Sequence, residues 1–229
     1  MRPDRNRPSA APAALVLLLT ALACPLAAAH GKSALLVVGS PSLSTGDAAL
    51  KARLERHYPV TVRDDGLAAD MSKDVIVISS SVVPATLGTK YRATTRGVVV
   101  LAPAVLPAMA MTAAGAFGVE RGERVRIVFS GTIAAGGFPT GTVVTVSSAA
   151  TSIGWGNPPA GARTVAVSGD GTTSRATLFR YLKGATMAGG YVAPGRRIAL
   201  FTWSPETLSE DGWRLFDGAV ASAAGLSAV

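Results

Sequence analysis

The sequence is poor in the residues that usually reveal chemistry. Cysteine occurs once, at Cys24, and histidine twice, at His30 and His57. Cys24 lies in an N-terminal stretch with the pattern of a cleaved leader, so residues 30–229 contain no cysteine. That excludes a disulfide framework, a thiolate nucleophile and a cysteine metal site in the mature chain. A histidine base would have to be His30 or His57. Long apolar runs are also missing: Ala14-Leu15-Val16-Leu17-Leu18-Leu19 is too short for a membrane span. No internal repeat and no long low-complexity linker divides the chain, so one mature domain is expected.

The leader reads clearly. Arg2, Arg5 and Arg7 make a basic start, the apolar core follows, and Ala27-Ala28-Ala29 offers a small-residue cleavage site. Residues 1–29 are therefore expected to be a signal peptide, and residues 30–229 a secreted or periplasmic domain beginning at His30. A lipid anchor on Cys24 is the weaker reading, because Ala21 sits where such signals usually carry leucine and Pro25 follows the cysteine. Three arginines and one aspartate leave with the leader, which takes the formal charge from +8 to +6. The remaining cations are interleaved with acids, as in Glu120-Arg121 and Glu123-Arg124-Val125-Arg126. A solvated basic surface is expected, with no nucleic-acid face.

From Ser33 onward the pattern is strand, loop, helix. Ala34-Leu35-Leu36-Val37-Val38 is continuously apolar, as in a strand buried on both faces. Gly39 to Gly46 is turn chemistry, with Ser44 or Thr45 placed to cap a helix that Asp47 opens and that carries Leu50 and Leu54 on one face. Val60-Thr61-Val62-Arg63 alternates like a strand near a sheet edge and ends in Asp64-Asp65-Gly66. Asp74 to Ser79 and Gly97 to Leu101 are further apolar runs, with a short helix possible over residues 83–92. This succession predicts an α/β domain with a flavodoxin-like, doubly wound, mostly parallel sheet, most naturally in the order 2-1-3-4-5. Residues 112–160 turn glycine-rich and alternating, and are read as a β-rich insertion. A hairpin is expected from Arg163–Val167 and Ala176–Tyr181 across Ser168–Gly171, and Arg197–Phe201 is expected to return as a core strand. The last helix begins after Ser209, with Trp213, Phe216 and Val220 on a face expected to be core.

Three of these stretches carry a resemblance. Ala34 to Gly39, Asp74 to Ser79 and Val98 to Pro103 resemble the class I glutamine-amidotransferase-like superfamily. The ending Ala193-Pro194-Gly195-Arg196-Arg197-Ile198-Ala199-Leu200-Phe201, with Leu208 to Phe216 after it, is similar to the non-amidotransferase branch related to trehalose-utilisation (ThuA-like) domains. The resemblance implies a flavodoxin-like sheet in an exported protein, sometimes found beside carbohydrate-active modules. It does not fix chemistry. Amidotransferases need a cysteine on a sharp strand-to-helix turn and a histidine base; the matching turns here read Ser79-Ser80-Ser81 and Ala102-Pro103-Ala104. Cysteine-dependent glutamine hydrolysis is excluded, and serine catalysis lacks both a Gly-x-Ser-x-Gly elbow and a histidine that sequence places near Ser80.

No cofactor is expected. The loop from Gly39 to Gly46 resembles a flavodoxin phosphate loop, yet the loops after the third and fourth strands hold no aromatic residue to stack on a flavin. A copper brace on His30 needs a second histidine, and only His57 exists. The domain is therefore read as a non-catalytic binding or interaction module, for a neutral small molecule such as a saccharide or for another exported protein. In a 2-1-3-4-5 sheet the crevice falls between the first and third strands. Its lining would be Ser40, Ser42, Ser44 and Thr45 on one side and Ser80 and Ser81 on the other, hydroxyls suited to a polyol. The alternative is a hydrolase of carbohydrate-related substrates using carboxylates such as Asp64 and Asp65, although adjacent aspartates in a turn are more often solvated caps.

Overall fold

The structure is a computed structural model and describes residues 31–202 and 204–226. The expected signal peptide of residues 1–29, with Cys24, and His30 lie outside the described residues. The chain runs β1 (Ala34–Val38), α1 (Thr45–Leu54), β2 (Val60–Asp64), β3 (Val75–Ile78), α2 (Pro84–Leu87) and β4 (Gly97–Val100). It continues through β5 (Phe117–Gly122), β6 (Arg124–Ile127), β7 (Val143–Thr145), β8 (Thr151–Gly156), β9 (Arg163–Ser168), β10 (Ala176–Tyr181), β11 (Arg197–Leu200) and α3 (Glu210–Ala223).

The sheet has a parallel half and an antiparallel half. Strands β2-β1-β3-β4-β11 are parallel, which is the 2-1-3-4-5 order with β11 in fifth place. Beyond β11 the sheet turns antiparallel through β10, β9, β6 and β7, and a β5–β8 pair branches off at β10. The β9–β10 hairpin lies where its flanking turn residues place it, and the whole 112–160 stretch feeds the antiparallel half. The amphipathic β2 takes the edge, while β1, β3, β4 and β11 are buried along their full length. Continuous apolar sequence is what a strand covered on both faces requires.

The two faces are covered differently. On one, Leu36, Val38, Val77, Val99 and Ile198 meet Leu50 and Leu54 of α1 and Leu215, Phe216, Ala219 and Val220 of α3. On the other, Leu35, Val37, Ile76, Ile78, Val98 and Val100 meet Leu87, Tyr91, Val105, Leu106 and Met109, which sit mostly on turns rather than on a long helix. Each fully buried Val, Leu or Ile contributes about 1.5–3 kcal/mol. The short helix expected over residues 83–92 is one turn, from Pro84 to Leu87, and ends at Gly88 with φ 54°. Only glycine holds that backbone cheaply.

One residue differs from its sequence reading. Trp213 belongs to the rim of the core: it is half-buried, edge-on to Phe216 at 5.4 Å, with the Arg53 guanidinium 5.5 Å above its ring. The fully enclosed side of α3 is the stripe of Leu215, Phe216, Ala219 and Val220. Arg197, at the start of β11, is completely buried. Its guanidinium donates to the carbonyls of Arg92 (2.9 Å), Thr94 (2.5 Å), Arg96 (2.9 Å) and Arg196 (3.0 Å), stitching the loop before β4 to β11. Burial pulls its pKa down to about 10.

Candidate functional site

At the carboxyl ends of β1 and β3 the chain builds a carboxylate–hydroxyl cluster. Ser44 caps α1, its Oγ accepting from the Asp47 N–H at 3.1 Å. Asp47 stands in the first turn, where the positive end of the helix dipole favours an acid. Its side chain is 3 % exposed. A carboxylate so enclosed must be hydrogen-bonded, and three hydroxyls do this. Ser44 donates to Oδ2 at 2.8 Å, and Ser79 and Ser81 donate to Oδ1 at 2.5 and 3.0 Å. Ser81 Oγ in turn accepts from the Gly39 N–H at 3.1 Å. Asp47 thus ties the loop after β1, the start of α1 and the loop after β3 into one unit. The two loops touch backbone to backbone: a Cβ on Gly39 would lie 2.2 Å from the Ser81 carbonyl oxygen.

Of the hydroxyls expected to line this crevice, Ser44 and Ser81 meet at Asp47. Ser40 and Ser42 stand exposed on the outer loop, where Ser40 Oγ accepts from the Ser42 N–H at 3.2 Å; Thr45 is exposed at the first position of α1, and Ser80 is half-buried in the loop after β3. Asp47 and Ser79 were absent from the expected lining. Asp47 has a purely local explanation as a first-turn acid, and its partners lie 32 and 34 residues further along the chain. The only hint was the hydroxyl triplet from Ser79 to Ser81.

Among the described residues the cluster has no histidine. His57 follows α1 next to Pro59, whose carbonyl accepts from Ala34 at the amino end of β1. Its Nε2 lies 3.9 Å from Asp217 Oδ2 on α3. The serines occupy the opposite end of the strands. Asp64 and Asp65 each accept from a backbone N–H, and Asp65 is not the solvated cap its turn suggests. Asp65 is 4 % exposed and accepts from the Val83 N–H at 2.6 Å, while Asp64 accepts from the Gly66 N–H at 2.8 Å.

The turn after β4, the second place where a nucleophile could sit, is closed. Ala102 has ordinary extended backbone (φ −99°, ψ 105°) and Pro103 opens a single 3-10 turn. Strand β8 lies over it, with the Gly154 N–H bonded to the Phe201 carbonyl at 2.8 Å. A Cβ on Gly154 would stand 2.5 Å from Pro103 Cγ, so glycine allows the strand to seat directly on the proline ring. The void left among Pro103, Leu106, Gly154 and Thr177 is about 10 Å³, hardly room for one water. Among the described residues no group of three or more metal-ligating side chains is found, and no helix is long and apolar enough to cross a membrane.

Neither a protein-family profile nor a curated protein sequence matches this chain. Its fold is shared by solved structures. A Thermoplasma acidophilum protein assigned as a GMP synthase subunit superposes with a TM-score of 0.52 at 14% identity, over 86% of this chain and 96% of that one. PurLQS from Thermotoga maritima gives 0.50 at 14% identity, over 83% and 99%. Agd3, a carbohydrate deacetylase, gives 0.52 at 10% identity over 83% of this chain but only 32% of its own. The chain therefore has the amidotransferase-like, flavodoxin-like α/β fold, and at these identities the likeness extends to the fold alone.

Proposed function

We propose that this is an exported, non-catalytic amidotransferase-like domain that binds a neutral, carbohydrate-related ligand at the carboxyl ends of β1 and β3. One observation carries the non-catalytic reading: both turns at which this fold could hold a nucleophile are spent on structure. Ser79 and Ser81 are committed to Asp47, and Pro103 lies under β8. The binding surface is the hydroxyl-lined rim of Ser40, Ser42, Ser44 and Thr45 facing Ser80 and Ser81, at the point where the strand order reverses. Hydroxyls of this kind suit a polyol, although the exposed Glu206 carboxylate lies against Gly46 at the edge of the rim. The fold-level likeness to a carbohydrate deacetylase sets the ligand panel. Hydrolysis through Asp64 and Asp65 finds no support, because both carboxylates serve backbone N–H groups.

Calorimetric titration with neutral mono- and oligosaccharides tests the site. The Ser42→Ala/Ser80→Ala double variant is expected to lose affinity while melting like the parent; undiminished binding would move the site elsewhere. Export is tested separately, by intact-mass analysis of secreted material. The expected mass starts at His30, and a retained, lipid-modified Cys24 would refute it.

A further inference from the structure

A second concavity lies on the face of the sheet away from α1 and α3. It is an open hollow of about 510 Å³ between Arg92, the segment from Pro107 to Ala114 and the segment from Ala188 to Tyr191. That volume is in the range of small-molecule sites. Its walls are cross-braced: the Ala188 N–H donates to the Ala110 carbonyl at 2.9 Å, and the Tyr191 hydroxyl to the Arg92 carbonyl at 3.2 Å. Ala110 has φ 57° and is the one non-glycine residue with positive φ among the described residues. Such strain persists where the surroundings impose it, and it clusters at ligand sites.

Two polar groups here lack partners. The Arg92 guanidinium lies 5.3 Å over the Tyr191 ring and makes no ion pair or hydrogen bond among the described residues. Its neighbour Arg96 takes the nearby Asp74, at 3.9 Å, and the carbonyls of Arg92, Thr94 and Arg96 are already filled by Arg197. The aromatic face is its one partner there among the described residues, so an anion could pair with the guanidinium from the hollow. Thr112, also lining the cleft, is 2 % exposed and its hydroxyl has no hydrogen-bond partner among the described residues. Against these stand small apolar walls at Ala110, Ala113 and Ala114.

We infer that this cleft is a binding site for a small organic anion, a carboxylate or phosphate ester whose charged end pairs with Arg92 while its body lies along the alanine wall. It is separate from the crevice at β1 and β3 and does not depend on that reading.

The test is calorimetry on the intact protein with galacturonate, glucose 6-phosphate and glucose. At least one of the two acids is expected to bind, more weakly as salt is raised, and glucose is expected not to compete for the site. Binding by one acid alone assigns the charged group as carboxylate or phosphate. Arg92→Gln should weaken binding by about tenfold or more. Ala114→Trp, at an exposed position, should block the cleft without touching the core. The Ser42→Ala/Ser80→Ala variant should bind the acid unchanged, which separates this site from the crevice. The inference is overturned if neither acid binds at about 10 mM, well above weak-site dissociation constants. Glucose displacing the acid, or folded Arg92→Gln and Ala114→Trp variants binding like the parent, would overturn it equally.

Discussion

Asp47 is the residue on which the end of the sheet depends. It is the acceptor for Ser44, Ser79 and Ser81, and Ser79 is itself only 1 % exposed. Asp47→Ala would leave the buried Ser79 hydroxyl only the Ser81 Oγ, 3.3 Å away, to donate to, and should cost roughly 2–3 kcal/mol by chemical denaturation. Ser79→Ala, which removes one donor and leaves two, should cost about 1 kcal/mol. Equal losses from the two would mean that the carboxylate is not the hub. Tyr58 gives a pH signature. Burial, with Asp217 nearby, pushes its phenol up from the ordinary 10 to about 12. Folding therefore favours the neutral phenol, and the stability it lends is complete below pH 10 and lost as pH rises toward 12. Denaturation midpoints measured through this window should fall, and Tyr58→Phe should flatten the fall. The local role of Asp47 was legible from its place three residues after Ser44. Its long-range role was not, because nothing in a helix's first turn says which distant hydroxyls will surround it.

At the scale of elements, α3 shows how sequence periodicity overstates burial. Trp213 and Phe216 share a face by spacing, but the helix sits so that Phe216 is enclosed and Trp213 covers the rim under Arg53. Phe216→Ala should cost about 3–5 kcal/mol and Trp213→Ala only about 1–2, measured as the shift in urea midpoint. The reverse order would return Trp213 to the core. The N-cap followed directly from sequence, and Ser209 Oγ accepts from the Gly212 N–H at 3.0 Å. Strand existence was readable in the same way for β1, β3, β4 and β11, whose apolar runs have no polar face to hide. The branch made by β5 and β8 was not readable. Gly118, Gly154 and Gly156 look like turn residues, yet they are strand positions where a neighbouring ring comes too close for a Cβ.

For the whole molecule, stability has to come from the two apolar layers flanking the sheet, since residues 30–229 offer no cysteine. The melting temperature of a protein comprising residues 30–229 should be the same with and without a reductant, and with and without a chelator; a drop of several degrees with either would reveal a staple outside this account. The parallel half of the sheet was legible because each crossover has its own spacing and closing turn. The junction between the halves was not, because no local pattern tells β10 and β11 to pair antiparallel while β11 and β4 run parallel.

That junction also sets an order in time. Val98 pairs with Arg197 and Val100 with Ala199, so β4 stays uncovered on one edge until almost the entire chain has emerged. The intervening loop of about a hundred residues must close first, at an entropic cost that rises slowly with length but delays the search. A nascent chain of this topology cannot complete its sheet early. Exported as proposed, it would reach a translocation channel still open along that edge, in the unfolded form such a channel accepts, and finish folding only after β11 has passed through.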